Sequence, residues 1–214
     1  MAKASATRMK DRSGPPSAGP AVSRQPNRRA DILAEAARLF AARGYDATSM
    51  RDIAAATGML PGSLYYHFAS KEELFAELHD RAVAAIDRAV DSALDGKTGA
   101  WTRLEAALAA HLAGLLENGN ALAIMAPDFP DDRGDLNARL IARRRAYEDR
   151  FRDLIADLGL PETIDERLFR LMLMGAVNWS PVWYRTDGAY DPAAIAGAFI
   201  GILRMGFDPG TVSK

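Results

Sequence analysis

The stretch Gly44 to Leu74, GYDATSMRDIAAATGMLPGSLYYHFASKEEL, contains two short helices separated by a tight turn. Thr48 or Ser49 can cap the first, Ser49-x-x-Asp52 has capping-box spacing, and Met50, Ile53 and Ala54 recur at the interval that turns one face inward. Gly58 follows the last periodic residue, where a left-handed conformation closes a helix, and Leu60-Pro61-Gly62-Ser63 opens the next one. That second helix is short. It offers small groups, Pro61, Gly62 and Ser63, at its start and polar rings, Tyr65, Tyr66 and His67, further along. Small groups at the start of a reading helix can approach base edges, and hydroxyls and an imidazole beyond them can meet phosphates.

An amphipathic helix precedes this pair, with Ile32, Ala36, Leu39 and Phe40 on one face. Residues 28–74 are therefore expected to form a three-helix helix-turn-helix unit. In a unit this small Ile53, Ala54, Leu64 and Phe68 are needed as core. The pattern Ile53-Ala54, Gly58, Gly62, Leu64-Tyr65, His67-Phe68, Lys71 and Leu74 resembles, with no position broken, the DNA-binding domain of TetR-family transcriptional repressors. The resemblance implies a homodimer on a palindromic, double-stranded DNA operator. It places Thr48, Ser49, Arg51, Pro61, Gly62, Ser63, Tyr65, Tyr66, His67 and Lys71 at the DNA, with Tyr66 and Lys71 facing phosphate.

The chain has 214 residues, 49% of them hydrophobic, enough for a second domain with its own core. Its formal net charge is −1, yet residues 1–29 carry Lys3, Arg8, Lys10, Arg12, Arg24, Arg28 and Arg29 against Asp11 alone. Residues 1–27, rich in Ser, Pro, Gly and Ala, read as a disordered basic arm whose charge either attracts DNA or is incidental. With no cysteine, disulfides and thiolate-ligated zinc are excluded, and the composition fits a reducing cytoplasm. No run is long and apolar enough to span a membrane.

Residues 75–214 read as an all-α bundle for ligand binding and dimerisation, with helices near 71–94, 100–118, 120–126, 134–158, 163–184 and 192–206. On the helix after residue 134 the apolar stripe runs Leu136, Leu140, Tyr147, Phe151, Leu154 and Leu158, and the position that completes it is Arg144. A guanidinium aimed at a core needs an anionic partner. Two accounts stand open: Arg144 pairs with Glu148 and Arg145 with Asp149 one turn on, or Arg139, Arg143 and Arg144 border a cavity that receives a phosphate or carboxylate.

The following helix is apolar on nearly every side and ends in Asn178-Trp179-Ser180-Pro181-Val182-Trp183-Tyr184, where Pro181 leaves the carbonyl of Val177 without its helical donor. This ending resembles the Asn-Trp-x-x-x-Trp-Tyr pattern of TetR-like repressors that sense acyl-CoA thioesters in fatty-acid and steroid catabolism. By that resemblance the effector site draws on Arg139, Arg143, Arg144, Tyr147, Asn178, Trp179 and Trp183, with an acyl-CoA as candidate effector. A hydrophobic drug or metabolite, or no effector at all, remain the alternatives. The last helix, capped by Asp191-Pro192 and carrying Gly197-x-x-x-Gly201, joins its predecessor as candidate twofold interface. His67, His79 and His111 lie in no nucleophile or metal-ligand spacing, so no catalytic residue, metal or cofactor is expected.

Overall fold

The computed structural model describes residues 28–116 and 134–206. The expected basic arm and the short helix near 120–126 lie outside the described residues. Within them the chain forms eight helices and no strand: α1 (Arg28–Arg43), α2 (Met50–Ala56), α3 (Pro61–His67), α4 (Lys71–Leu94), α5 (Ala100–Leu116), α6 (Gly134–Ala156), α7 (Glu166–Trp183) and α8 (Pro192–Met205). The all-α expectation holds. Where bounds differ, capping decides: α7 starts later than the apolar pattern because the Asp165 side chain accepts from the amide of Leu168 at 3.0 Å.

Two apolar cores are stacked along α4. The first gathers Ile32, Ala36, Leu39 and Phe40 of α1, Ile53 and Ala54 of α2, Leu64 and Phe68 at α3, and Leu74, Phe75 and Leu78 of α4. It also takes in Leu136 and Leu140, so the start of α6 seals the base of the three-helix unit α1–α3. The second core begins at Val83, Ile86 and Val90 of α4 and is filled by Leu104, Leu108 and Leu112 of α5, Phe151 and Ile155 of α6, Val177 of α7, and Ile195 and Ile200 of α8. Helix α5 comes very close to α4: a Cβ on Gly114 would stand 2.6 Å from Cγ1 of Ile86.

Long-range ion pairs fix these helices where the sequence shows only isolated charges. Arg29 spans α1, α3 and α4. Its Nε donates to both oxygens of Glu77 at 3.2 and 3.0 Å, its Nη1 donates to the carbonyl of His67, and the guanidinium lies 4.0 Å from the centre of the Phe68 ring. The paired Glu77 carboxyl is held below the ordinary carboxylate range, chiefly by this hydrogen bond. Arg29, one of the positive charges concentrated in residues 1–29, is thus a structural clamp. Beside Pro181, the Ser180 hydroxyl donates to the Val177 carbonyl at 2.6 Å, filling the acceptor that Pro181 strands.

Replacing Arg29 by alanine removes the hydrogen bonds to Glu77 and to the end of α3. The expected loss is about 2 kcal/mol of stability, read as a lower urea midpoint of the helical circular dichroism signal.

Candidate functional site

The outer surface of the helix-turn-helix is built by what its inner surface buries. Leu64 and Phe68 are fully buried, which forces their neighbours outward: Pro61, Gly62 and Ser63 are exposed, and the Tyr66 ring is 88% exposed. Tyr65 is also exposed, and His67 is half-buried beside Tyr66. The turn before α3 uses Gly58 at φ +65°, a left-handed conformation that other residues adopt only under strain.

Helix α2 is capped as its spacing predicts. The Ser49 hydroxyl accepts from the amide of Asp52 at 3.2 Å while the Asp52 carboxylate accepts from the amide of Ser49 at 2.8 Å. The Ser49 hydroxyl also donates to the Asp52 carboxylate at 2.5 Å, and this bond first, with the one from the Ser49 amide, holds the Asp52 carboxyl below its ordinary range. Arg51 points to solvent beside the cap.

Two expected DNA contacts sit elsewhere. Thr48 is buried, and its hydroxyl donates to the carbonyl of Gly44 at 2.9 Å, so its side chain is turned away from the surface where DNA would lie. The ammonium of Lys71 donates to the carbonyls of Tyr45 and Thr48, both at 3.0 Å, and lies 4.1 Å from the centre of the Tyr45 ring. Lys71 therefore ties the loop between α1 and α2 to the start of α4, which revises the expectation of a phosphate-facing charge. The carbonyls it uses belong to loop residues more than 20 positions away, a pairing no local spacing reveals.

The expected effector residues divide into three places. Tyr147 and Asn178 are brought together by a residue the sequence reading left aside, His111. One ring nitrogen of His111, Nδ1, is 2.8 Å from the Tyr147 hydroxyl, and Nε2 is 3.0 Å from Oδ1 of Asn178. The Asn178 oxygen can only accept, so the proton sits on Nε2 and Nδ1 accepts from Tyr147. The ring is fully buried and stacked on Tyr147, and Phe151 meets it edge-on. Burial lowers its pKa to about 4, partly opposed by the Asn178 bond, and pushes the Tyr147 phenol up. His111 is a neutral link between α5, α6 and α7.

Arg139, Arg143 and Arg144 occupy α6 opposite α4. Arg139 pairs with Asp80 at 2.5 Å, and Arg143 joins Tyr147 in lining a groove of about 500 Å³ between α4, α5 and α6. That groove also carries Asp87, Asp91, Asp149, Asp153 and Asp157, and its Arg150 is already paired with Asp87 and Asp91, so it repels rather than invites phosphates. Neither of the expected one-turn pairs forms. Glu148 is held by Arg170 of α7 at 3.0 Å and Asp149 by Arg152 at 2.6 Å, both better placed than the arginine one turn back. Trp179 and Trp183 lie outside the core, on the exposed face of α7.

Residues 32–78 match the family described as "Bacterial regulatory proteins, tetR family", and residues 97–207 match "Tetracyclin repressor-like, C-terminal domain". The chain belongs to the TetR family of transcriptional regulators. It is similar to the HTH-type transcriptional repressor KstR2 of Rhodococcus jostii, 32% identical over 195 residues, covering 86% of this chain and 93% of the relative. Its fold is similar to that of the ketosteroid regulator KstR2 of Mycobacterium tuberculosis, at a TM-score of 0.69 and 26% identity over 85% of this chain and 96% of that one. It is also similar to AibR, solved with isovaleryl coenzyme A and operator DNA, at a TM-score of 0.70 and 26% identity over 82% of this chain and 97% of that one.

The His111 pKa sets a pH dependence. Its folded value, about 4, lies below the ordinary 6.5, so protonation favours the unfolded chain. Its contribution is present in full above pH 6.5 and is lost as pH falls through about 4, by about 3 kcal/mol. The stability from urea unfolding should fall more steeply with pH in this window, and His111→Gln should remove about half of the extra slope, the rest belonging to His79, whose pKa burial also lowers to about 4.

Proposed function

We propose that the protein is a homodimeric repressor that holds a palindromic operator through α3 and leaves it when a small molecule, an acyl-CoA thioester, enters the domain formed by α4 to α8. One observation carries the DNA-binding part of this reading: the outer surface of α3 exposes small groups at its start and Tyr66 beyond them, over a closed core. Backbone amides and the Tyr66 hydroxyl suit phosphate oxygens, while Ser63 and the open space at Gly62 let the helix approach base edges. Arg51 and Ser49 flank that surface from α2.

Dimerisation is supported by the outer face of α7 and α8. Leu168, Leu171, Met172, Trp179 and Val182 on α7 and Ile202 and Met205 on α8 are exposed together, more apolar surface than two solvent-facing helices present. A groove of about 180 Å³ between Met172, Ala176, Phe199 and Ile202 gives this face the relief that a second copy's side chains can fill. Trp179 and Trp183 are assigned here to the dimer face rather than to the effector.

The acyl-CoA reading is supported by the isovaleryl coenzyme A bound in the AibR neighbour and by Arg144 of α6, whose Nε is buried without a partner. No helix among the described residues is long and apolar enough to cross a membrane, which agrees with a cytoplasmic regulator. The relatives are transcriptional regulators, which supports reading the protein as a regulator and not an enzyme.

The test is a fluorescence anisotropy titration of the full chain on DNA from its own upstream region, repeated with octanoyl-CoA and with octanoate. Release by either compound supports ligand-gated repression, and release by the thioester alone supports the acyl-CoA assignment; binding that neither disturbs rejects that effector class. Tyr66→Ala should weaken operator binding about tenfold with the fold intact. Met172→Glu should turn the dimer into monomers in sedimentation and abolish tight operator binding.

A further inference from the structure

Between the two stacked cores lies a polar layer whose chemistry is incomplete. On α4 the first core ends at Leu78 and the second begins at Val83; on α6 the first ends at Leu140 and the second begins at Tyr147. His79 and Arg144 fall in those two gaps, on helices that pack together. His79 is 1% exposed, and both its Nδ1 and the Nε of Arg144 are buried without a hydrogen-bond partner. A buried nitrogen left in this state costs about 1–3 kcal/mol.

The nearby charges sharpen the point. Burial first, and then the charges of Arg144, Arg143 and Arg139, hold His79 neutral, with a pKa of about 4 against the pull of Asp80. The carboxylates that could serve Arg144 are already taken: Asp80 by Arg139, Glu148 by Arg170 and Asp149 by Arg152. Three arginines thus face one aspartate around two unpaired nitrogens.

We propose that this seam is an anion seat, in which His79 and Arg144 hold one oxyanion group, a carboxylate or a phosphate, of the effector. The reading rests on the ligand-gated regulation argued above and places the effector's acidic end at the joint between the cores. With its proton on Nδ1, His79 donates to one oxygen, and the Nε–H of Arg144 donates to another; no existing ion pair has to break. An anion here ties α4 to α6 where one core gives way to the other, so its presence resets the angle between the DNA-reading unit and the bundle.

The chain has three histidines, so nitrogen-15 labelling of histidine gives a spectrum simple enough to assign by substitution. Full-length wild-type protein is titrated with octanoate, octanoyl-CoA and sodium phosphate. The seat requires a saturable shift of the His79 Nδ1 signal, with His67 unmoved, in at least one titration. A response to octanoate identifies a carboxylate; a response to octanoyl-CoA or phosphate without octanoate identifies a phosphate. Arg144→Lys, which keeps the charge and removes Nε–H, should weaken the responding probe tenfold or more. A His79 signal that none of the three moves overturns the seat and leaves a water-filled seam. Operator release by octanoyl-CoA with His79 unmoved likewise overturns it while sparing ligand-gated repression. A shifted His79 without operator release keeps the seat and rejects the gating.

Discussion

Helix α4 belongs to two hydrophobic cores at once, and the rest of the molecule is arranged around that sharing. Leu74, Phe75 and Leu78 are committed to the DNA-reading unit, while Val83, Ile86 and Val90 are committed to the bundle. Interiors packed at crystal density do not bend smoothly, so a rotation imposed on one half of such a helix is passed to the other. The start of α6 repeats the arrangement, with Leu136 and Leu140 in the first core and Tyr147 onwards in the second. Two continuous helices therefore cross the boundary between reader and bundle, and the clamp of Arg29 on Glu77 and on the end of α3 fixes the reading helix to one of them.

What was legible in the sequence is what depends on short spacing. The stripe Leu136, Leu140, Tyr147, Phe151 and Leu154 is buried as its period requires, the Ser49 and Asp52 box closes, and Asp191 caps α8. Burial of Leu64 and Phe68 also followed from pattern, and with it the exposure of Tyr65 and Tyr66. Spacing could not show where long side chains find partners. Thr48 caps nothing and instead ties back to Gly44; Lys71 reaches Tyr45 and Thr48; Glu148 prefers Arg170 on another helix to Arg144 on its own. The Lys71 and Glu148 pairings were decided by the approach of elements distant in sequence and the Thr48 bond by the fold of its own loop, and each moved a charged or polar group from its expected surface role to a structural one.

The two buried histidines show why burial alone does not mark a site. His111 has both nitrogens satisfied, by Tyr147 and Asn178, and joins three helices as a closed polar link. Its neutrality is maintained by burial, and nothing about it demands a visitor. His79 is equally buried and equally neutral, yet its Nδ1 and the facing Arg144 Nε are unpaired in a layer where positive charge is in excess. A polar layer completed within the chain stabilises one arrangement of helices. A layer left incomplete makes that arrangement depend on what occupies it. In the proposed seat that difference, set by where Glu148 and Asp80 turn for their partners, puts the anion at the boundary between the cores and not in the aspartate-lined groove beside it.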